Sequence, residues 1–343
     1  MIYEKSCGAV VYKIENNHLF FLIEHMKKGH YSIPKGHVED GETEIETALR
    51  EIKEETNLDV IIDDSFREVV SYSPYDGCIK DVVFFTALSS SSITKNQIEE
   101  VSDIKWLLLN DALNILTYDT DKDILFKAHN HIINNLKDQF VIINKGSKVL
   151  FQGDSVTDCY RDKSDYYSLG KSHAKIISDY LEKYDVSVFN RGVNGNKVNN
   201  LLDRFNSDFL DINPDVLFIL IGVNDTWHDF PNCKSTAVFK KEYEELILLI
   251  KEQIDCEIIL LEPFILGFDK SYTCMISDLE SKISVIKELS DKYSLKYISF
   301  KNDFENVINE DNVYSYTVEG IHLLEKGYEI LSNKILSYII INE

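Results

Sequence analysis

The sequence predicts an α/β protein of two domains, and three observations predict it. The chain has 343 residues, more than a single hydrophobic core usually organises and enough for two domains of roughly 100 to 200 residues each. Its first part sets strand-like apolar stretches around one amphipathic helix. Its second part repeats short buried strands and longer helical segments, the rhythm of a parallel sheet covered by helices on both faces.

In chain order, the apolar runs at residues 6–12 and 19–24 predict two strands separated by the turn-forming Glu15-Asn16-Asn17. A loop rich in Gly and Pro follows. From Thr43 to Thr56, Ile45, Ala48, Leu49 and Ile52 recur at the i, i+3, i+4, i+7 spacing of a helix with one apolar face. Strands are expected at 66–72 and 81–88, and a helix over 110–137. The segment Asp138 to Gly146 ends that helix, which places the domains at 1–140 and 141–343. Beyond it, 149–152, 186–189, 216–221, 258–261 and 297–300 read as buried strands.

The chain carries 58 acidic against 36 basic residues, a formal charge of -22. That balance excludes a general grip on nucleic acid, which draws on clustered Lys and Arg, while a small anionic substrate stays compatible with a local cation. With 44% hydrophobic residues, 27% charged and 5 prolines, the composition is that of a chain folded throughout. Cys7, Cys78, Cys159, Cys233, Cys256 and Cys274 show no paired spacing and are expected as reduced thiols. No basic and apolar leader opens the chain and no apolar run nears the ~20 residues that cross a bilayer, so a cytoplasmic protein is expected.

On the helix from Thr43 to Thr56, Glu51, Glu54 and Glu55 are related by i+3 and i+4 and share one face, away from the Ile45/Leu49/Ile52 stripe. Such like charges repel by some tenths of a kcal/mol per pair unless a cation sits among them. Mg²⁺ suits them, because it takes few carboxylates and completes its shell with water and phosphate oxygens. Three glutamates alone are more often a solvated helix face, so the preceding residues decide. Gly36, then five residues to Glu42, then seven to Arg50-Glu51-Ile52-Lys53-Glu54-Glu55-Thr56-Asn57-Leu58, resembles the Nudix box. Asn57 stands where that family has glycine, and asparagine also tolerates a left-handed helix cap.

The resemblance implies a Nudix-type α/β/α sandwich with a mixed sheet, cleaving a phosphoanhydride in a nucleoside-diphosphate-linked substrate. It implies that Glu51, Glu54 and Glu55 hold Mg²⁺ or Mn²⁺. Glu100 matches a position of a further ligand or base in some members, with an exposed loop acid as the other reading. Ser32 to Glu42 and Lys80-Asp81-Val82-Val83-Phe84-Phe85 are most similar to asymmetrical dinucleoside tetraphosphate hydrolases. Lys35 and Lys80 are candidates for phosphate contact, and Tyr72 or Tyr75 for stacking on a base; solvated lysines and core tyrosines are the competing readings.

In the second part, Gly153-Asp154-Ser155, Gly195 and Gly222-Val223-Asn224-Asp225 each follow a strand, and His322 arrives last in Glu319-Gly320-Ile321-His322. Strand C-termini are where open parallel sheets bind ligands. Acyl transfer needs a nucleophile, a base, an orienter for the base and oxyanion donors. Ser155, His322 and Glu319 are candidates for the first three; the Ser155 and Gly195 N–H groups and the Asn224 amide are candidates for the fourth. These blocks, with Asn190-Arg191-Gly192-Val193-Asn194-Gly195-Asn196 and Leu260-Leu261-Glu262-Pro263-Phe264, resemble the SGNH/GDSL hydrolases, most of all bacterial acyl or carbohydrate esterases. The resemblance implies a three-layer α/β/α flavodoxin-like domain with a parallel sheet and no cofactor. Glu319 replaces the usual aspartate, so its extra methylene must be absorbed by the loop.

His129 and His131, two apart on a helix, point in different directions and are not expected to bind a metal. The whole reads as a bifunctional hydrolase of nucleotide and ester substrates; the alternative is one catalytic domain joined to a ligand-binding or regulatory module.

Overall fold

Strand β1 (Ile2–Glu15) turns back into the antiparallel β2 (His18–Met26) through Asn16 and Asn17, whose φ values of 49° and 68° suit asparagine better than a branched residue. The computed structural model describes residues 2–91, 100–228, 230–267 and 270–342. The chain divides into two units, Met1–Ile142 with Ile340–Glu343, and Ile143–Ile339.

In the first unit, β3 (Tyr31–Ser32) and β4 (Lys35–His37) lead into helix α1 (Glu44–Thr56). Thr43 and Glu46 close a capping box at its start, and Asn57 caps its end in the left-handed conformation at φ 59°. Strands β5 (Val60–Tyr72), β6 (Cys78–Ser89) and β7 (Val101–Leu107) follow, and β1 runs parallel to β6. The central strands are buried on both faces. Cys7, Ala9, Val11 and Leu22 pack with Ala48 and Ile52 of α1. Val10, Phe21 and Ile23 pack on the opposite side with Leu125, Ala128 and Ile132.

The single helix expected over 110–137 is two, α2 (Leu109–Ile115) and α3 (Asp119–Leu136). Thr117 breaks it: its Oγ1 accepts the Tyr31 N–H at 2.9 Å and its own N–H donates to the Tyr31 carbonyl at 3.3 Å. The segment expected only as a connection after 138 holds a strand, β8 (Val141–Asn144), in the first sheet.

The second unit alternates β9 (Lys148–Gly153), α4 (Ser155–Asp158), α5 (His173–Leu181), β10 (Ser187–Asn190), α6 (Val198–Asp203), β11 (Val216–Leu220), α7 (Asn224–Trp227) and α8 (Thr236–Gln253). It continues through β12 (Glu257–Leu261), α9 (Lys270–Tyr293), β13 (Lys296–Ile298), α10 (Lys301–Glu305) and α11 (Glu325–Leu336). All five strands are parallel in the order β10-β9-β11-β12-β13. Counted along the chain this is 2-1-3-4-5, the flavodoxin-like order, with its crevice where the chain steps from one side of β9 to the other. Leu150, Leu217, Ile219 and Leu260 bury one face against Leu201, Phe239, Tyr243 and Ile286.

The final strand β14 (Ile339–Asn342) joins the first sheet, with Ile341 opposite His18. That mixed sheet runs β5-β6-β1-β2-β14-β8, with β3 and β7 on β2 and β4 on β1. Among the described residues no helix is long and apolar enough to cross a membrane.

Gly153, at the end of β9, sits where a Cβ would lie 2.4 Å from the Leu220 carbonyl oxygen and 2.4 Å from Thr157 Oγ1. Gly153→Ala is therefore expected to lower stability by about 1–3 kcal/mol through overpacking, read as an earlier urea transition of the second unit.

Candidate active sites

Ser155 opens the short helix α4 directly after β9. Asp154 caps it, its carboxylate accepting the Val156 N–H at 3.0 Å, and burial pushes the Asp154 carboxyl up to about 7. Ser155 Oγ lies 2.8 Å from His322 Nε2. The other ring nitrogen, Nδ1, is hydrogen-bonded to Glu319 Oε1, which also accepts the His322 backbone N–H at 3.2 Å. The turn absorbs the longer side chain: Gly320 adopts φ 92°, its N–H donates to Thr317 Oγ1 at 2.7 Å, and the Val318 N–H donates to the His322 carbonyl at 2.9 Å.

The loops after the other strands are tied to this one. Asp158 accepts the Asn194 N–H at 2.9 Å, Asp225 accepts the Val198 N–H at 3.2 Å, and Asn224 Nδ2 donates to the Asn196 carbonyl at 3.0 Å. Gly195, at φ 80°, turns the chain between those anchors. One N–H of the Asn224 amide is thereby committed, and the amide carries a second. Asn190 braces the same region, donating to the Thr157 and Leu169 carbonyls at 2.6 and 2.8 Å.

In the first unit, Arg50 ties the loop before α1 to the helix. Its guanidinium donates to both oxygens of Glu42 at 2.7 and 2.9 Å, to the His37 carbonyl at 2.9 Å and to Glu51 at 2.8 Å. Hydrogen bonding to Arg50 holds the Glu42 carboxyl down at about 2. The Glu51 carboxylate lies against Gly36, where any Cβ would fall 1.9 Å from it. Glu54 is more exposed, 3.4 Å from Arg50.

Glu55 is buried beside Glu24 of β2, also buried; desolvation and the Glu24 charge raise the pKa of Glu55, and desolvation that of Glu24. Among the described residues, Glu24 Oε1 and Glu55 Oε2 have no hydrogen-bond partner. Glu100 is exposed, and its charge acts on Glu24, Glu51 and Glu55. Among the described residues no three His, Cys, Asp or Glu side chains converge on one point, and Arg50 hydrogen-bonds Glu51 and Glu54. Two orphaned carboxylate oxygens in a buried, otherwise acidic cluster nonetheless fit a hard divalent cation, which needs only one or two carboxylates beside water and phosphate.

Residues 151–330, over half the chain, match the model of the GDSL-like lipase/acylhydrolase family, and residues 4–128 match the NUDIX domain model. The chain belongs to the GDSL-like lipase/acylhydrolase family and carries a Nudix domain. It is similar to an acetylxylan esterase of Geobacillus stearothermophilus, 28% identical over 57% of this chain and 95% of that one. An asymmetrical bis(5'-nucleosyl)-tetraphosphatase of Caenorhabditis elegans is 31% identical over 33% of this chain and 86% of its own length. The corresponding enzyme of Sus scrofa is 26% identical over 36% and 92%. In fold, the crystal structure of Axe2 from Geobacillus stearothermophilus superposes with a TM-score of 0.52 at 23% identity, over 57% of this chain and 95% of that one. Both domains are hydrolase domains.

The GDSL domain brings Ser155, Glu319 and His322 into hydrogen-bonding contact and ties the loops of Gly195 and Asn224 together. In the Nudix domain, the Lys35 ammonium is bonded to Ser32 Oγ and, at 3.1 Å, to the Ile33 carbonyl, with Asp121 at 3.9 Å. Lys80 lies 3.4 Å from His37 Nε2 and is opposite Tyr72, which is half-exposed, in the β5/β6 register. Tyr75 donates to Glu4 at 2.9 Å. His129 is buried against Phe21, while His131 Nε2 meets Asp63 at 2.8 Å, so the two point apart.

Glu24 was not among the candidates read from the sequence. Its signal there is slight: one acid at the end of the apolar run Phe20-Phe21-Leu22-Ile23, on the face that Leu22 turns toward α1.

Proposed function

We propose that the protein is a bifunctional hydrolase, with the boundary of its two catalytic units near residue 140 of the sequence. The GDSL domain removes acetyl-type groups from an ester, with a carbohydrate as the alcohol. The Nudix domain cleaves a phosphoanhydride of a dinucleoside polyphosphate or a nucleoside-diphosphate-linked substrate with Mg²⁺ or Mn²⁺. The observation that carries the first half is the continuous contact from Ser155 Oγ to His322 Nε2 at 2.8 Å and from His322 Nδ1 to Glu319.

In that arrangement His322 removes the hydroxyl proton as Ser155 Oγ bonds to the acyl carbon, and the carbonyl π electrons move onto oxygen. The Ser155 and Gly195 N–H groups and the second N–H of Asn224 receive that charge. His322 then protonates the departing alcohol, and the same steps with water release the acid and restore Ser155. Glu319 fixes the imidazole with its proton on Nδ1, leaving Nε2 free to accept. The similarity to an acetylxylan esterase supports the acetyl and carbohydrate parts of this reading. Asn224→Ala is expected to lower kcat by about 10²- to 10³-fold with little change in KM, measured on a small aryl acetate.

In the Nudix domain, Glu51, Glu54 and Glu55 would hold the cation, with Glu100 as a further acid. A bound divalent ion supplies a Lewis acid for the phosphoryl oxygens and a more acidic water. Lys80 contacts phosphate and Tyr72 stacks on a base, while Lys35, already bonded to Ser32, shapes the loop and adds positive charge. The tetraphosphatase relatives support the dinucleoside polyphosphate class. A second reading makes this domain a ligand-binding or regulatory module, and it rests on Glu51 and Glu54 being held by Arg50. Assaying the purified chain against dinucleoside polyphosphates, nucleoside-diphosphate derivatives and acetylated sugars, with and without Mg²⁺, separates the readings: nucleotide release that requires Mg²⁺ excludes the second.

A further inference from the structure

Glu24 belongs to the acidic cluster of the Nudix domain but lies outside helix α1 and its flanking loops. It sits on β2, with an exposure of 1%, against 3% for Glu55. Leu22, its neighbour on the same strand face, packs in the core with Ala48 and Ile52 of α1, so an apolar side chain would fit the environment of position 24. The sequence instead places a carboxylate there. It meets Glu55, and among the described residues Oε1 of Glu24 and Oε2 of Glu55 have no partner.

Burying a polar oxygen without a partner costs about 1–3 kcal/mol, and more when the group is charged. Lys35 is the nearby cation, and it acts on both groups without bonding either; its ammonium goes to Ser32 and the Ile33 carbonyl. A pair of carboxylate oxygens left bare at the inner wall of an acidic cluster matches the donor set of a hard divalent cation.

We infer that Glu24 is a metal-binding residue of the Nudix domain, acting with Glu55 from the opposite wall to extend the cation site from helix α1 onto strand β2. This rests on the metal-binding reading of that domain. Glu24 is buried where Glu54 is half-exposed, so Glu24 contributes affinity that the helix glutamates do not supply alone.

The test is titration of the full chain with Mn²⁺ alone, followed by electron paramagnetic resonance of the free ion. Glu24→Gln is expected to weaken binding by about 10- to 100-fold. In EDTA the same variant should melt at or above the native temperature, because one of two facing buried acids becomes a neutral amide, and should gain less from added Mn²⁺. Glu24→Asp, which keeps the charge and draws it back by one methylene, should fall between the two. Native-like Mn²⁺ affinity in either variant, with the native chain binding, overturns the role of Glu24 and leaves the helix site standing. No Mn²⁺ binding by the native chain overturns both this inference and the reading it rests on.

Discussion

Replacing Ser155 by alanine is expected to lower hydrolysis of a small aryl acetate by about 10⁴- to 10⁶-fold while Mg²⁺-dependent release of nucleotide continues at the native rate. The size follows from what is removed: Ser155 is the hydroxyl 2.8 Å from His322 Nε2, and water in its place is neither held nor aligned. The selectivity follows from placement. Every residue assigned to the ester reaction lies between Gly153 and His322, in the unit Ile143–Ile339. An unchanged esterase rate would remove Ser155 as the nucleophile. Loss of both activities in a folded variant would show that the sites are coupled.

Glu55→Gln is expected to give the converse, a loss of about 10²- to 10⁴-fold in nucleotide release with the ester rate unchanged. Glu55 is chosen over Glu54 because it is buried at the inner wall with an unpartnered oxygen, whereas Glu54 is exposed and weakly tied to Arg50. The amide has the same shape but cannot carry the charge that would attract a cation. Its melting temperature in EDTA should match or exceed that of the native chain, since one of two facing buried acids is neutralised. A variant that keeps nucleotide release would move the metal-binding role to other residues.

The parts of both sites that the sequence reveals are the local ones. Gly36 to Leu58 is a continuous string whose spacing follows from one loop and one helix, and the box can be read without knowing what packs against it. Ser155, Gly195 and Asn224 each follow an apolar strand, and a parallel sheet carries such positions to a common edge. What stays hidden depends on partners far along the chain. Glu24 matters because α1 lays Glu55 across β2, a packing fact with no local signature. The helix over 110–137 breaks at Thr117 because Tyr31, 86 residues earlier, takes its hydrogen bonds. The return of β14 to the first sheet is likewise set by pairing with His18, not by its own apolar pattern. Glu319 is an intermediate case: the exchange for aspartate is plain in the sequence, but its reach to both the ring and the backbone of His322 depends on the turn at Gly320.

The measurement that bears most directly on two independent hydrolytic sites is chelation of the native protein, with an acetyl ester and a dinucleoside tetraphosphate followed side by side. EDTA is expected to leave ester cleavage unchanged and to take nucleotide release to background, with excess Mg²⁺ restoring it. Ester cleavage falling together with nucleotide release, or nucleotide release persisting without metal, would contradict it.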